Sequence, residues 1–213
     1  MIKIGIVDYG VGNINSLNKS FKSIGFRSTK SSDTDELKKT DVIVLPGVGS
    51  FAYAMDKLKK SKLDQFIINE SKRNKPILGI CLGMQLLLTG SLEFGRSRGL
   101  DFIKGQVRKL SNEKNKKIPH VGWNSVQLST YSKNKNNSVK NFLKGIKNNS
   151  NFYFVHSFAA YVPDREETLA HTTYGKENFS SIVSRDNIFG TQFHPEKSGQ
   201  VGYNLLKNFL ELK

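Results

Sequence analysis

The 213-residue chain holds one cysteine, Cys81, five prolines and one tryptophan. A lone thiol excludes an internal disulfide framework and points to a reducing compartment. Long apolar runs are missing too. The longest, ILGICLGMQLLL at 77–88, is too short and too interrupted by glycine to span a bilayer. The opening MIKIGIVDYG is too brief an apolar stretch for a signal peptide, and Asp8 breaks it. These absences lead to the expectation of a soluble cytoplasmic protein without a membrane partner. One cysteine and four dispersed histidines leave no metal-ligand spacing, so neither metal nor cofactor is expected.

Acidic residues are also scarce, 18 against 33 lysines and arginines, for a net charge of +15. Such an excess can mark a polyanionic partner. Here the basic residues are spread over three stretches: Lys57–Lys62, Lys104–Lys117 and Lys133–Lys147. No RNP-like, zinc-finger or helix-turn-helix pattern accompanies them. The charge reads as solvated surface in a Lys- and Asn-rich chain, and no nucleic-acid partner is expected.

What is present is an alternation of strands and helices. IKIGIVD (2–8), DVIVLPG (41–47) and PILGI (76–80) read as buried strands. SLNKSFKSIG has helical spacing with Gly25 as a stop, 53–74 reads as one helix, and LGMQLLL starts another. This pattern predicts an α/β fold, a three-layer sandwich around a mostly parallel central sheet, in one domain over 1–213. In the second half, short β-like runs predict a mixed extension of that sheet and a second small one. The Asn/Lys/Ser-rich 129–141 reads as a surface loop, and 201–213 as a closing helix.

The chemistry starts at GICLG. A strand, then Gly-x-Cys-x-Gly, then a helix is the layout of a nucleophile elbow. The turn crowds the residues two before and two after the nucleophile, and glycine relieves that contact. Cys81 would stand at a helix N-terminus, where dipole and free N–H groups favour a thiolate. The Leu82 N–H would face an oxyanion formed by attack from Cys81. The competing reading is a buried structural cysteine. A thiol nucleophile needs a base, and His194 stands in QFHPEKSG with Glu196 two residues on. Extended chain at His194, favoured by Pro195, would let Glu196 orient the imidazole. LPGVGSF (45–51) can supply a second oxyanion donor or be an ordinary turn. YGVGNIN (9–15) lacks the third glycine of a dinucleotide fingerprint. His120 and His156 lie in strand-like runs as core residues or pocket walls.

Taken together, GICLGMQLL and FHPEKSG resemble the class I, triad-type glutamine amidotransferases, whose fold is flavodoxin-like. LPGVGSF, IPHVGWN and YFVHSF, in that order, narrow the resemblance to members that dock on a (βα)₈-barrel cyclase of the HisF type. A pyridoxal-phosphate-type glutaminase would be expected to carry a different glycine loop at 46–49. The resemblance implies hydrolysis of L-glutamine to glutamate and ammonia by Cys81, His194 and Glu196. It implies an oxyanion hole from Leu82 and from Val48 or Gly49. Glutamine would be held by Gly47, Gln85, His156, Ser157 and Phe158. Asn13, Trp123 and Lys197 would lie toward the partner, which would use the ammonia in imidazole formation for histidine biosynthesis. Three positions depart from the pattern: Phe158 where tyrosine is common, Val121 where methionine is usual, and the lack of an acidic stretch after the nucleophile helix. They leave open a related role supplying ammonia for acetamidino-type sugars. A non-catalytic basic binding module is the reading of another class.

Overall fold

The computed structural model describes residues 2–111, 117–130 and 136–213. Its nine-stranded sheet follows from the buried runs of the sequence. β1 (Ile4–Val7), β3 (Val42–Leu45) and β4 (Ile77–Ile80) are buried at every position. Strands apolar on both faces must be covered on both faces, as parallel sheets are. With β2 (Ser28–Ser31) and β13 (Ile188–Thr191) they form the parallel half, in the order β2-β1-β3-β4-β13. The sheet continues antiparallel through β12 (Glu177–Arg185), β11 (Thr168–Tyr174), β8 (His120–Leu128) and β9 (Ser150–His156). The mixed extension expected from the second half is this antiparallel half.

Alternation along the strands splits the core in two. Ile4, Ile6, Val42, Val44, Leu78 and Ile80 face one apolar layer, with α1 (Ile14–Ser23), α6 (Asn137–Phe142) and α7 (Gly199–Leu210). Val7, Ile43, Leu45 and Ile77 face the other. That layer is covered by α2 (Thr34–Lys38), α3 (Phe51–Lys60), α4 (Leu63–Lys72) and α5 (Leu82–Leu86). Helix, sheet and helix make the three layers. A second sheet lies on the α5 side, in the order β10 (Phe158–Tyr161), β7 (Ile103–Lys109), β5 (Leu88–Ser91), β6 (Ser97–Arg98).

Several boundaries differ from the sequence reading. The expected helix over 53–74 is two, because Lys62 takes a left-handed conformation at φ 58° and turns the chain between α3 and α4. The helix after Cys81 ends at Leu86, and Leu88 enters β5. An unbroken apolar run cannot by itself distinguish a buried helix from a buried strand. Part of the expected 129–141 loop is helical in α6, whose N-cap Asn136 accepts the Val139 N–H; residues 131–135 lie outside the described part. Among the described residues, no helix is long and apolar enough to cross a membrane.

The parallel strands aim their C-terminal ends at one edge of the sheet, and the helix after β4 packs there without a spacer. A Cβ on Gly83 of α5 would run into the carbonyl oxygen of Leu45 at the end of β3. Gly83→Ala is therefore expected to cost about 3 kcal/mol or more, the upper range for overpacking, since backbone must move and not a flexible side chain. Urea unfolding checks this, and a loss below about 1 kcal/mol would show that the helix can lift away freely.

Candidate active site

β4 delivers the chain to Cys81, which stands at the N-terminus of α5 with φ 55° and ψ −111°. A side-chain-bearing residue avoids this combination, which costs of order 1–3 kcal/mol and persists only where the surroundings enforce it. Enforcement comes from both sides. The Cys81 N–H donates to the Thr191 carbonyl on neighbouring β13 at 2.7 Å. A Cβ on Gly79 would lie 2.7 Å from both the Gly83 carbonyl oxygen and the Met84 nitrogen, which is the crowding an elbow requires. Gly190, the partner of Gly79 across the β4–β13 pair, makes room for Met84 in the same way.

β13 ends three residues before His194, so this histidine arrives beside Cys81. Its backbone is clamped: the His194 N–H donates to the Tyr153 carbonyl at 2.9 Å, and Ser198 Oγ donates to the His194 carbonyl at 2.7 Å. His194 is extended (φ −98°, ψ 94°), and a 3-10 turn follows at Pro195–Lys197. The approach of Glu196 thus combines one extended residue with a turn, where sequence reasoning assumed extended chain alone. Glu196 Oε1 lies 2.8 Å from His194 Nδ1, with both side chains 4% exposed. Burial works against a charged imidazole here. The negative charge of a Cys81 thiolate nearby overcomes it, and Glu196 adds to the effect, so the His194 pKa is pushed up to about 10. His194 Nε2 has no hydrogen bond of ordinary geometry among the described residues. Catalytic contacts are commonly loose before substrate binds.

Cys81 opens into a cavity of about 560 Å³. Val48, Gly49, Leu82, Gln85, His156, Ser157 and Phe158, all singled out from the sequence, line it. Gly47 does not; a Cβ there would meet Tyr9 Oη at 2.6 Å and Leu82 Cβ at 2.9 Å. Gln85 Nε2 donates to the Phe158 carbonyl at 2.8 Å and to Gln192 Oε1 at 3.0 Å. Both amide protons are thereby used, and only the Gln85 carbonyl is left for a ligand. The Phe158 carbonyl also lies 2.8 Å from His156 Nδ1. Because this contact uses the main chain, phenylalanine supplies it as well as tyrosine would. His156 is pushed down to about 3, by burial first and then by His120, so it stays neutral.

Three residues were missed in the sequence. Glu93 is buried on the cavity wall, one carboxylate oxygen accepting the Phe51 N–H at 2.7 Å. Its only signal was a carboxylate inside an apolar stretch. Phe94, 90% exposed at φ 51°, stands at the same cavity. Tyr9, buried under the 46–49 loop, donates its hydroxyl to the Pro46 carbonyl at 2.7 Å. The expected partner-side residues fall in two places. Trp123 is 57% exposed, edge-on to Tyr153, and Lys197 Nζ lies 5.9 Å from that ring. Asn13 caps α1 and borders a small crevice that reaches His194 and Glu196. Among the described residues, no group of three His, Cys, Asp or Glu side chains could hold a metal ion.

A strained cysteine elbow and a carboxylate-oriented histidine thus meet at one cavity, apolar for the most part, into which Gln85 and Glu93 bring polar groups. The profile of the family described as glutamine amidotransferase class-I matches residues 5–212, and the chain belongs to that family. Among its relatives, the imidazole glycerol phosphate synthase subunit HisH of Lactococcus lactis is 43% identical over 99% of both chains. The protein of that name from Caldanaerobacter subterraneus is 44% identical over 98% of both chains, and that from Methanocaldococcus jannaschii is 43% identical over 98% of this chain and 99% of its own. Among solved structures, PurLQS from Thermotoga maritima superposes with a TM-score of 0.72 at 20% identity, over 99% of this chain and 98% of that one. This last likeness bears on the fold alone.

The His194 pKa gives a testable sign. It is raised chiefly by the charge on Cys81, so Cys81→Ser, neutral across this range, is expected to bring the imidazole titration down. Ring-proton chemical shifts followed against pH measure it. An unmoved midpoint would mean that the cysteine charge does not hold the histidine proton.

Proposed function

We propose that this glutamine amidotransferase is the single-domain glutaminase subunit of an imidazole glycerol phosphate synthase, hydrolysing L-glutamine to glutamate and ammonia. The observation that carries the reading is the juxtaposition of Cys81 in its strained elbow with the His194–Glu196 pair at the edge of one cavity. In this mechanism Cys81 Sγ attacks the side-chain amide carbon of glutamine. The oxyanion is held by the Leu82 N–H, one of the α5 amides without an intrahelical partner, and by an N–H of Val48 or Gly49. Each such donor is worth roughly 2.7–4 kcal/mol at the transition state. The proton carried by His194 goes to the leaving nitrogen as ammonia departs. Water then attacks the thioester, His194 takes its proton, and glutamate leaves as the thiol reforms. No cofactor takes part.

Glu93 provides the negative end that an amino-acid substrate needs. One of its oxygens is engaged by Phe51, and its position on the cavity wall suits the α-ammonium group of glutamine. Gln85, with only its carbonyl free, accepts a second substrate N–H. Ser157 and Phe158 supply main-chain contacts.

The ammonia acceptor is a HisF-type (βα)₈-barrel cyclase in the cytoplasm. Its docking surface is the outward face of β8 and β9, where exposed Val121 and Trp123 stand beside Val155 and Tyr153, flanked by Lys197. Val155 and Pro119 join this face to the cavity. The 46–49 loop, with Gly49 at φ 96°, turns its peptide to complete the oxyanion hole when the partner binds its nucleotide. The HisH name shared by relatives over nearly their whole length supports the imidazole pathway ahead of the sugar pathway.

Two measurements test the proposal. Glutamate release from glutamine is expected to rise strongly when the cyclase and its nucleotide are added. Weak, nucleotide-independent turnover would favour the sugar pathway. Cys81→Ala should abolish glutamine-dependent synthesis by the complex and spare synthesis from ammonium; loss of both would assign Cys81 a structural role. Separately, Glu93→Gln is expected to raise KM for glutamine roughly tenfold or more, with a smaller effect on kcat, as the loss of one charge-assisted contact implies. An unchanged KM would remove Glu93 from substrate recognition.

A further inference from the structure

Gln192 is fully buried, and the triad mechanism makes no use of it. Its orientation is dictated from a distance. The Phe158 carbonyl is only an acceptor, so the end of Gln85 that meets it must be the NH₂ group. The second proton of that group meets Gln192, whose facing atom must then be oxygen. The remaining end of Gln192, its own NH₂ group, is left facing Cys81 Sγ at 3.9 Å. On another side of the sulfur stands the Val155 carbonyl, at 3.8 Å. A thiol can donate to that carbonyl, whereas a thiolate is repelled by it.

We propose that Gln192 is a further residue of the catalytic centre, whose side-chain N–H donates to Cys81 as a thiolate and offsets the repulsion from the Val155 carbonyl. The proposal rests on Cys81 being the nucleophile. It also gives Gln85 two tasks, since the side chain facing the substrate is the one that holds Gln192 in its donating orientation. The other titratable groups around the sulfur are His194 with Glu196 behind it, Tyr9 from the loop after β1, and His156 and Glu93 on the cavity wall. None of them is itself altered by a substitution at Gln192.

The test is alkylation of Cys81 by iodoacetamide in the purified chain, without glutamine or partner, followed against pH for the wild type, Gln192→Met and Gln192→Glu. Methionine keeps the length and removes the donor; glutamate keeps the shape and faces the sulfur with oxygen. Both are expected to alkylate roughly threefold or more slowly at pH 7 and to reach half-maximal rate at higher pH, Gln192→Glu the more so. A Gln192→Met profile superimposed on the wild type, in a protein with unchanged thermal unfolding, would overturn the proposal. Should both variants fail to fold, the wild type decides: with ¹⁵N-labelled glutamine, the Gln192 side-chain amide resonances are expected to titrate with the alkylation midpoint, and flat resonances would overturn it. Glutamate release by the wild-type complex, assayed in parallel, tests the glutaminase reading separately, because alkylation needs no substrate.

Discussion

The site depends on one close approach, the packing of α5 against the ends of β3, β4 and β13 with no side chain between. Gly79, Gly83 and Gly190 each stand where a Cβ would meet backbone or the Met84 side chain. Only because the helix can sit this low does the chain turn through Cys81 in one residue. The strained backbone there is compensated by the rest of the contact: the bond to Thr191, the packing of Met84, and the first turn of α5 presenting its unpaired N–H groups. Thiol position, thiol environment and the proposed oxyanion donor follow from a single steric condition.

A second ordering force is the Phe158 carbonyl. It accepts from Gln85 on one side and from His156 on the other. Since His156 is neutral and gives its Nδ1 proton to this carbonyl, its Nε2 must accept from His120, which lies 3.1 Å away. His120 in turn has Asn124 Nδ2 3.3 Å from its other nitrogen. One main-chain oxygen thus sets the direction of every donor from Asn124 to the nucleophile. Buried polar chains of this kind are stabilising only when every member is satisfied. Here a ligand-facing amide and a core histidine pair share the same satisfied acceptor.

The legible parts of the sequence were those in which one steric or electronic rule acts locally. Gly-x-Cys-x-Gly after a buried strand could be read because the elbow's crowding is a property of five consecutive residues. His194 and Glu196 could be read for the same reason, although the turn that joins them was not. The parallel core was legible from fully apolar strands. What escaped depends on contacts distant in sequence. Glu93 becomes a wall of the cavity only because β5 leads the chain back past Phe51, 42 positions away. Gln192 is an unremarked residue of a strand end until Gln85, from another element, fixes its orientation. The division between α5 and β5 was hidden because leucine serves a buried helix and a buried strand equally well.

The proposed docking face and the His194–Glu196 pair are not separate structures. Tyr153 turns its ring outward between Trp123 and Lys197, while its main-chain carbonyl accepts the His194 N–H and its own N–H donates to Ser198 Oγ. Ser198 in turn holds the His194 carbonyl. Lys197 belongs to the 3-10 turn that carries Glu196. A partner pressing on Trp123, Tyr153 and Lys197 therefore pushes on the backbone that places both members of the His–Glu pair. The other side of the same strand pair carries His120 and His156, which lead to the Cys81 cavity. Edge strands are ordinarily a liability. In this chain the β9 edge is where the exposed Trp123–Tyr153 surface, His194 and the Cys81 cavity share one piece of backbone, and coupling between them needs no longer path than the thickness of a strand.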